Sequence, residues 1–483
     1  MAGRRASKEA NHEKLRARFC GAEQGHVFRF IDELSAEERA TLMAQLESID
    51  IDVVHKLIDQ HLAATTALHL PSLVPAPVIP IAAKPEELAE AEASRVAGEA
   101  ALAAGKVAIL VVAGGQATRL GFDAPKGTFP IGPISGKSLF QVHAEKTLAL
   151  ARRHGKSLPF LVLVSRDNHA ATRQFFEERG HFGLDPKEVH FIEQGMLPAL
   201  DRDGRLLLAE RGRIFLSPDG HGGVFRALGS SGVLDKLAKR GVETLFYFQV
   251  DNPLVKVGDP VFVGHHLRRK AEFSLKVVAK RDAAEKVGVF ALVDGKPGIV
   301  EYSDLAPEQR DAREPNDSKS KGKDARSGRL TYWAGSIAIH AFSVAFLQRL
   351  ARGDLELPYH VARKKVPHVD ESGDIVHPTE PNGVKFESFV FDALSLAKGV
   401  VAMEVDRAEE FAPVKNKDGE DSPATSRAAQ SALFRGWLAQ AGFAVLDPAA
   451  DVEIGPLYAL DSRELVARLK GAPAPVAKRF LIE

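Results

Sequence analysis

One stretch limits the possible folds of this chain more than any other. It is KVAILVVAGGQATRL, residues 106–120, in which an apolar strand leads directly into two adjacent glycines. A strand that is apolar on both faces is typical of a parallel sheet covered by helices. Glycine lets backbone N–H groups approach a phosphate closely, and the nearby cations Arg119 and Lys126 would neutralise its charge. The stretch therefore predicts an anionic ligand at the carboxyl end of this strand.

Later runs of the chain extend the predicted sheet. The segments 159–165, 188–193 and 244–250 are also apolar and β-rich, and helical stretches separate them. Strands that alternate with helices in this way favour a mostly parallel sheet with helices on both faces. The fold class predicted from these patterns is α/β.

Helical periodicity marks both ends of the chain. Apolar residues three and four apart predict a helix over 35–65, and Ser35 with Glu38 forms a plausible capping box at its start. A second helix is predicted at about 86–104, and a third follows Asp421.

These patterns divide the chain into three parts. Residues 1–104 form a helical N-terminal region that includes a proline-rich, extended arm at 70–85. Residues 105–420 form the central α/β domain, and residues 421–483 form a small C-terminal subdomain. Within the central domain, 306–328 has almost no large apolar residue, which predicts a solvated, mobile insertion.

Composition excludes several classes of function. The 64 Lys and Arg residues balance 64 Asp and Glu residues, so the chain is no general polycation for nucleic acid. The 17 histidines form no H-E-x-x-H motif, and a single cysteine, Cys20, excludes an intramolecular disulfide and cysteine-based metal motifs. A polar N-terminus and the lack of an apolar run of about 20 residues predict a cytoplasmic protein without signal peptide, membrane span or membrane partner.

The glycine-rich stretch also fails two common nucleotide motifs. The dinucleotide fingerprint G-x-G-x-x-G is absent, because Gly114 and Gly115 are adjacent and the next glycine is Gly121. The segment GPISGKS, residues 132–138, approaches a P-loop, but Ile131 stands where that motif requires glycine. Neither NAD binding nor P-loop ATP chemistry is supported.

What the stretch does match is the nucleotidyltransferase signature A-G-G-x-x-T-R-L followed by P-K. The matching residues are Ala113, Gly114, Gly115, Thr118, Arg119, Leu120, Pro125 and Lys126. On this signature the sequence resembles the UDP-N-acetylhexosamine pyrophosphorylases, within the UDP-glucose pyrophosphorylase group of uridylyltransferases. The resemblance recurs in the same order from about residue 20 to residue 440, in blocks that include FIEQGMLPAL (191–200), SPDGHGGVFRAL (217–228), QVDNPLVKVGDPVFVG (249–264), ELPYHVARKKVPHVD (356–370), PNGVKFESFVFD (381–392) and FAPVKN (411–416).

This resemblance implies a fold and a reaction. The fold is a Rossmann-like nucleotidyltransferase domain (GT-A-like) with a mixed sheet, flanked by a helical N-terminal part and a small C-terminal subdomain. The reaction joins UTP to a hexose or hexosamine 1-phosphate, releases pyrophosphate and uses Mg2+.

The resemblance also implies roles on the nucleotide side of the site. Asp251, at the end of the 244–250 strand, is the candidate Mg2+ ligand, because hard Mg2+ prefers carboxylate and phosphate oxygens. The alternative for Asp251 is a turn or N-cap aspartate. The implied phosphate-binding catalytic residues are Arg119, Lys126 and Lys415, and the implied nucleotide-binding residues are Gly114, Gly115, Gln194 and Gly220.

On the sugar side, the resemblance implies contacts from Gly288, Glu301, Phe389 and Phe391, although the two phenylalanines have an alternative role in the core. N-acetylglucosamine enzymes of this family carry asparagine at two sugar-contacting positions where this chain has His221 and Ser336. Losing both amides weakens the case for an acetamido sugar.

Three functions therefore stay open. Overall resemblance favours N-acetylglucosamine 1-phosphate as the substrate. His221 and Ser336 favour glucose 1-phosphate or a broad range of sugars. A homologue that binds UDP-sugars without turnover is the third, but the retained Arg119, Lys126 and Lys415 favour an enzyme.

Overall fold

The computed structural model describes residues 2–61, 72–314, 328–353, 355–443, 447, 449–469 and 479–483. Its helices are α1 Ala2–Gly21, α2 Ala36–Ser48, α3 Ile51–His61, α4 Pro85–Ala103, α5 Leu139–His154, α6 His169–Glu177, α7 Val224–Ser230, α8 Val233–Lys239, α9 Pro260–Arg268, α10 Pro307–Asp311, α11 Val344–Arg352, α12 Arg407–Glu410, α13 Pro423–Gln440 and α14 Ser462–Arg468.

Its strands are β1 Leu73–Pro75, β2 Val107–Val112, β3 Phe160–Val164, β4 Val189–Glu193, β5 Met196–Pro198, β6 Leu200–Asp201, β7 Leu208–Glu210, β8 Arg213–Ile214, β9 Leu216–Pro218, β10 Thr244–Gln249, β11 Phe273–Ala279, β12 Val289–Val293, β13 Lys296–Val300, β14 Ala334–Ser343, β15 His360–Lys364, β16 His368–Val369, β17 Ile375–Val376, β18 Gly383–Glu387, β19 Val400–Glu404, β20 Asp451–Ile454 and β21 Arg479–Ile482.

The chain divides into two compact units, each assembled from segments that are separate in sequence. The first unit comprises Met1–Leu70, Gly195–Val224 and Leu357–Val390. The second unit comprises Pro71–Gln194, Phe225–Glu356 and Phe391–Glu483.

A mixed sheet of ten strands forms the centre of the second unit, as far as the described residues show. Its main path runs β1-β12-β14-β10-β2-β3-β4, with β11, β13 and β19 attached to it. Strands β10, β2, β3 and β4 pair in parallel, whereas β14 is antiparallel to β10, β11 and β12. The α/β fold class and the mixed sheet expected from the sequence are confirmed.

Close helix packing covers one part of this sheet. Helices α4 and α9 meet through two glycines, Gly98 and Gly264. A Cβ atom at Gly98 would lie 1.9 Å from the carbonyl oxygen of Pro260, and one at Gly264 would lie 1.7 Å from that of Ser94. Only glycine allows the two backbones to approach this closely.

The first unit packs short helices against small sheets. Its core includes Leu42 and Leu46 of α2 with Leu200 and Phe386 of the strands, all fully buried. Buried Gln45 satisfies the edge of β8, because its side chain accepts from Ile214 N at 2.8 Å and donates to Ile214 O at 3.4 Å. One polar side chain therefore replaces a missing strand partner.

Two sequence predictions for the N-terminal part need revision or extension. The single helix predicted over 35–65 is two helices, α2 and α3, because Ile49 is extended and Asp50 Oδ1 accepts from the N–H groups that begin α3. Residues 62–65 of that prediction lie outside the described residues. The capping box of Ser35 and Glu38 is confirmed. The extended arm at 70–85 contributes β1, which pairs with β12, although its first two residues lie outside the described residues.

Other predicted segments have mixed outcomes. The helix at 86–104 is α4 and the helix after Asp421 is α13, so both are confirmed. Most of the predicted insertion at 306–328 lies outside the described residues, and α10 occupies its start. Within the part of the chain described, none of the helices combines the length and apolar character of a bilayer span.

Candidate active site

The loop after β2 brings two predicted nucleotide-binding residues together. Parallel pairing of β2 with β3 and of β3 with β4 aligns the three carboxyl ends. Gly114 follows β2 and Gln194 follows β4. A Cβ atom at Gly114 would lie 3.1 Å from Gln194 Oε1 and 3.3 Å from Ser165 N. Gly114 is therefore needed for close contact with the Gln194 side chain.

The same loop closes on itself around Gly115. Lys126 N donates to Gly115 O at 3.1 Å, and Ala117 N donates to Ala124 O at 3.1 Å. Gly121 turns the chain with φ of +69°. A Cβ atom at Gly115, by contrast, would meet no atom within 4 Å. Packing does not require glycine at 115, so the open space beside it is available to a ligand.

An ion pair joins the predicted phosphate cation to the predicted metal ligand. Lys126 Nζ lies 2.8 Å from Asp251 Oδ2, and their side chains are only 18% and 11% exposed. Asp251 reaches this position because β10 runs parallel to β2, and Val250 N donates to Val112 O at 3.0 Å. Parallel strands bring their carboxyl ends to one edge.

The segment 411–421 brings a third cation to this edge. Val414 N donates to Asp251 O at 2.9 Å. This bond ties the residue before Lys415 to the backbone of Asp251. Lys415 Nζ lies 3.5 Å from Asp421 Oδ2, and its side chain is 43% exposed. We call the loop 113–121 with Lys126, Asp251 and Lys415 the nucleotide edge.

Two more cations belong to this region. Arg119, within the loop 113–121, is exposed on the short helical turn Thr118–Leu120. Lys417 was missed by the sequence analysis. A Cβ atom at Gly121 would lie 3.7 Å from Lys417 Cδ, so this side chain lies against the loop. Its spacing of two residues from Lys415 was the available signal.

Asp251 fits Mg2+ better than a metal that needs a complete protein cage. Among the described residues no group of three His, Cys, Asp or Glu side chains is placed to hold a metal ion. Mg2+ is commonly bound by one or two carboxylates together with substrate phosphates and water. A single buried carboxylate beside a phosphate loop suits that ligand set.

A buried histidine supports the end of β10. His143 of α5 is fully buried, and its Nε2 bonds the carbonyl oxygen of Val250 at 2.9 Å. Burial, with a smaller contribution from the charge of Lys146, lowers the pKa of His143 to about 3. The side chain is therefore neutral at physiological pH.

Three predicted sugar-side residues lie together in the second unit. The β12–β13 hairpin places Gly288 opposite Glu301, and a Cβ atom at Gly288 would lie 3.3 Å from Glu301 Oε1. Ser336 N, in β14, donates to Gly288 O at 2.8 Å. A β-hairpin and its neighbouring strand thus form one polar cluster.

The remaining predicted contacts of the first unit form what we call the histidine turn, residues 219–223 with 388–390. Gly220 has φ of +80°, and a Cβ atom there would lie 2.3 Å from Ser388 O. His221 Nδ1 accepts from Val390 N at 2.9 Å. In the neutral imidazole the proton is then on Nε2, which is a hydrogen-bond donor.

Aromatic stacking completes the histidine turn. The Phe389 ring stacks on His221, with centroids 5.1 Å apart, and on His360, with centroids 4.4 Å apart. Phe389 and Phe391 are both partly exposed, so neither is a fully buried core residue. Phe391 belongs to the second unit, on the helical turn Val390–Leu396.

A buried aspartate in the histidine turn was also missed. Asp219 is 2% exposed. A Cβ atom at Gly195 would lie 2.4 Å from Asp219 Oδ2, and one at Gly223 would lie 1.8 Å from Asp219 Oδ1. The two glycines therefore make room for this carboxylate. The available signal in the sequence was the glycine-rich run P-D-G-H-G-G, residues 218–223, which contains Gly223.

Comparison with known proteins yields consistent matches. The family model described as UTP--glucose-1-phosphate uridylyltransferase matches residues 80–434. The UDP-N-acetylhexosamine pyrophosphorylase-like protein 1 of Xenopus tropicalis is 40% identical over 462 residues, covering 92% of this chain and 87% of that protein. The UDP-N-acetylglucosamine pyrophosphorylase of Saccharomyces cerevisiae is 38% identical over 360 residues, covering 72% and 73% of the two chains.

A solved structure is similar over nearly the whole length. It is the uridine diphosphate N-acetylglucosamine pyrophosphorylase from Trypanosoma brucei in complex with inhibitor. The TM-score is 0.79 at 28% identity, and the match covers 98% of each chain.

Proposed function

We propose that this chain, which belongs to the UTP--glucose-1-phosphate uridylyltransferase family, makes UDP-N-acetylglucosamine and pyrophosphate from UTP and N-acetylglucosamine 1-phosphate. The observation that carries the proposal is the nucleotide edge, where an open glycine loop lies beside the partly buried Lys126–Asp251 pair. The names of the similar pyrophosphorylases support the choice of sugar.

The reaction needs positioning and charge neutralisation more than covalent catalysis. A phosphate oxygen of the sugar 1-phosphate attacks the α-phosphorus of UTP and forms a new phosphorus–oxygen bond. The bond from that phosphorus to the bridging oxygen of the β-phosphate breaks, and pyrophosphate leaves with the electron pair. Fixed cations that meet the developing charge in a partly buried site stabilise this transition state.

Each residue of the nucleotide edge has a role in this scheme. Lys126 and Arg119 hold the phosphates of UTP, and Lys415 neutralises charge as pyrophosphate leaves. Gly115 leaves room for the nucleotide backbone, and Asp251 would hold Mg2+. When bound, Mg2+ neutralises phosphate charge and withdraws electrons from the reacting phosphorus.

The sugar-side residues select the acceptor. Glu301 accepts hydrogen bonds from sugar hydroxyls, and His221 Nε2–H donates one. Phe389 and Phe391 present apolar faces to the sugar ring or to an acetamido methyl group.

The lone Cys20 supports a reducing compartment such as the cytoplasm as the place of the reaction.

A second candidate substrate is glucose 1-phosphate. It is favoured by His221 and Ser336, which replace the two asparagines of N-acetylglucosamine enzymes. A short serine and an imidazole donor make fewer contacts with an acetamido group than two amides would.

Pyrophosphate release tests both candidates. The purified protein would be assayed with UTP and Mg2+ against N-acetylglucosamine, N-acetylgalactosamine, glucose and galactose 1-phosphates, with ATP and dTTP as nucleotide controls. We expect release with UTP and the highest kcat/KM for N-acetylglucosamine 1-phosphate. A preference for glucose 1-phosphate would replace the first candidate with the second, and no release with any sugar would refute both.

A further inference from the structure

The P-loop-like segment at 132–138 binds a carboxylate of the protein itself. Glu453 Oε2 accepts from Ile134 N at 2.6 Å and from Ser135 N at 2.7 Å, and Glu453 Oε1 accepts from Ser135 Oγ at 2.5 Å. Glu453 is 4% exposed. A Cβ atom at Gly132 would lie 2.8 Å from Glu453 Oε1, so this glycine makes room for the carboxylate. We call this contact the carboxylate seat.

Glu453 is tied in turn to helix α13. It lies on β20, and Val452 N of the same strand donates to Ser431 Oγ of α13 at 3.3 Å. Arg435 of α13 donates to Ala450 O at 2.6 Å. The apolar side of the contact includes Trp437, Leu438 and Val452. Strand β20 and helix α13 are therefore joined by both hydrogen bonds and apolar packing.

The first turns of α13 contact the residues just before the seat and the segment 411–421 that carries Lys415. Arg427 donates to Pro130 O at 2.7 Å, and Gln430 donates to Ile131 O at 3.3 Å, immediately before the seat. Ser426 Oγ donates to Ala412 O at 2.7 Å. Just before the helix, Asp421 O accepts from Lys415 N at 2.6 Å. The helix thus holds the end of the segment that carries Lys415.

We infer that Glu453 is a positioning residue for Lys415, acting through the carboxylate seat and α13. The seat satisfies the carboxylate with two N–H donors and one hydroxyl donor, which fixes the orientation of β20 and α13. The other end of segment 411–421 is held by Val414 N on Asp251 O. Losing the seat removes one of the contacts that hold α13 at this end, and leaves the bonds of Arg427 to Pro130 O and of Gln430 to Ile131 O. This inference rests on the proposed role of Lys415 in pyrophosphate release.

A double-mutant cycle with Glu453→Gln and Lys415→Ala tests the inference. The amide of glutamine keeps the size of the side chain but removes the charge that the seat binds. We expect E453Q alone to lower kcat at least tenfold, and to lower it less than twofold in the K415A background. Equal losses in both backgrounds would overturn the inference. An inactive wild-type protein, or a fully active K415A variant, would instead refute the proposed function or the role of Lys415.

Amide hydrogen exchange tests the same inference without turnover. In E453Q, the Lys415 and Asn416 amides that donate to Asp421 O should exchange at least tenfold faster. Asp451→Asn is the matched control, because Asp451 is an exposed acid on the same strand. It should change neither exchange nor kcat. Ser135→Ala removes one donor and should produce a smaller change in the same direction if E453Q does not fold. Unchanged exchange at 411–421 in both seat variants would contradict the inference.

Discussion

The nucleotide edge and the histidine turn use one glycine each, Gly115 and Gly220, in opposite ways. At the nucleotide edge, Gly115 faces open space, and the nearby ion pair of Lys126 and Asp251 is partly accessible. In the histidine turn, Gly220 packs against Ser388, and the turn is closed by backbone hydrogen bonds. Gly115 therefore leaves space beside the loop, whereas Gly220 allows two backbone segments to pack closely.

This difference has a thermodynamic consequence. A glycine that faces open space contributes little to folding, so its replacement should affect binding alone. A glycine with positive φ and a close backbone neighbour is required by the fold, so its replacement should lower stability. The two regions can therefore be separated by measuring turnover and stability on the same variants.

The largest expected effect is the loss of the partly buried cation Lys126 at the nucleotide edge. Lys126→Met should lower kcat on the order of 100- to 1000-fold, because a fixed charge that stabilises the transition state is removed. The matched control is Lys106→Met, at the residue just before β2. Lys106 Nζ lies 2.8 Å from Glu243 Oε1, and both side chains are more than 40% exposed. Steady-state kinetics should show K106M within twofold of wild type, since exposed pairs contribute little. Equal activity of K126M and wild type would contradict the assigned role.

The second effect separates the two glycines. Gly220→Ala should lower the free energy of unfolding by about 2–4 kcal/mol, because the new Cβ meets Ser388 O and the backbone has positive φ. Gly115→Ala should leave the melting temperature unchanged and raise the KM for UTP at least tenfold. Gly241→Ala is the control, since it has φ of +85° but no atom near its Cβ position, and should cost about 1 kcal/mol. Thermal unfolding and UTP kinetics would measure these effects. A normal KM for UTP in G115A would contradict the proposed difference between Gly115 and Gly220.

The third effect concerns the sugar. The double variant His221→Asn with Ser336→Asn should raise the kcat/KM ratio of N-acetylglucosamine 1-phosphate to glucose 1-phosphate by about 10- to 100-fold, because two amides are restored. His360→Asn is the control, because His360 also stacks on Phe389 but is not one of the predicted sugar-contacting residues. Competition kinetics with both sugar 1-phosphates would measure this kcat/KM ratio. An unchanged ratio would show that neither position sets specificity.

The smallest effect is a pH dependence of stability at the nucleotide edge. Burial lowers the pKa of His143 to about 3, below its usual value near 6.5 in the unfolded chain. The unfolded state therefore binds the proton first as pH falls, and stability present above pH 6.5 is lost below it. Lowering the pH from 7.5 to 5.5 should therefore reduce the free energy of unfolding by about 1 kcal/mol through His143. Urea unfolding of wild type and His143→Gln would measure the difference.

A histidine of the first unit offers the control for that measurement. The pKa of His26 is also lowered by burial, although its bond to Leu206 O opposes the shift. Because His26 is only partly buried, His26→Gln should remove less of the acid sensitivity than His143→Gln. A larger change in H26Q would mean that the first unit, and not the nucleotide edge, controls acid stability.

The strands around the site were predictable because their signals are local. The runs 106–113, 159–165 and 244–250 correspond to β2, β3 and β10 with ends that differ by one residue or less. Continuous apolar character identifies a strand buried on both faces, and parallel pairing then brings the carboxyl ends to one edge. The proximity of Lys126 to Asp251 follows from that geometry, whereas their direct ion pair was not predicted.

Other features depend on residues far apart in sequence. The bonds of Gln45 to Ile214 have no strong local signal. The segment 132–138 was excluded as a P-loop, but nothing in its sequence indicated that Glu453 would occupy it. The stacking of Phe389 on His221 likewise joins residues more than 160 positions apart.

The sequence by itself determined the α/β class, the strands that carry the site and the family, because apolar periodicity and a contiguous glycine motif act over short distances. Only the tertiary structure decided which groups meet: Lys126 with Asp251, His221 with Val390, and Glu453 with the 132–138 loop. Such contacts are selected by the packing of whole elements, since a hydrogen bond or ion pair is stable only where burial and backbone geometry bring both partners together.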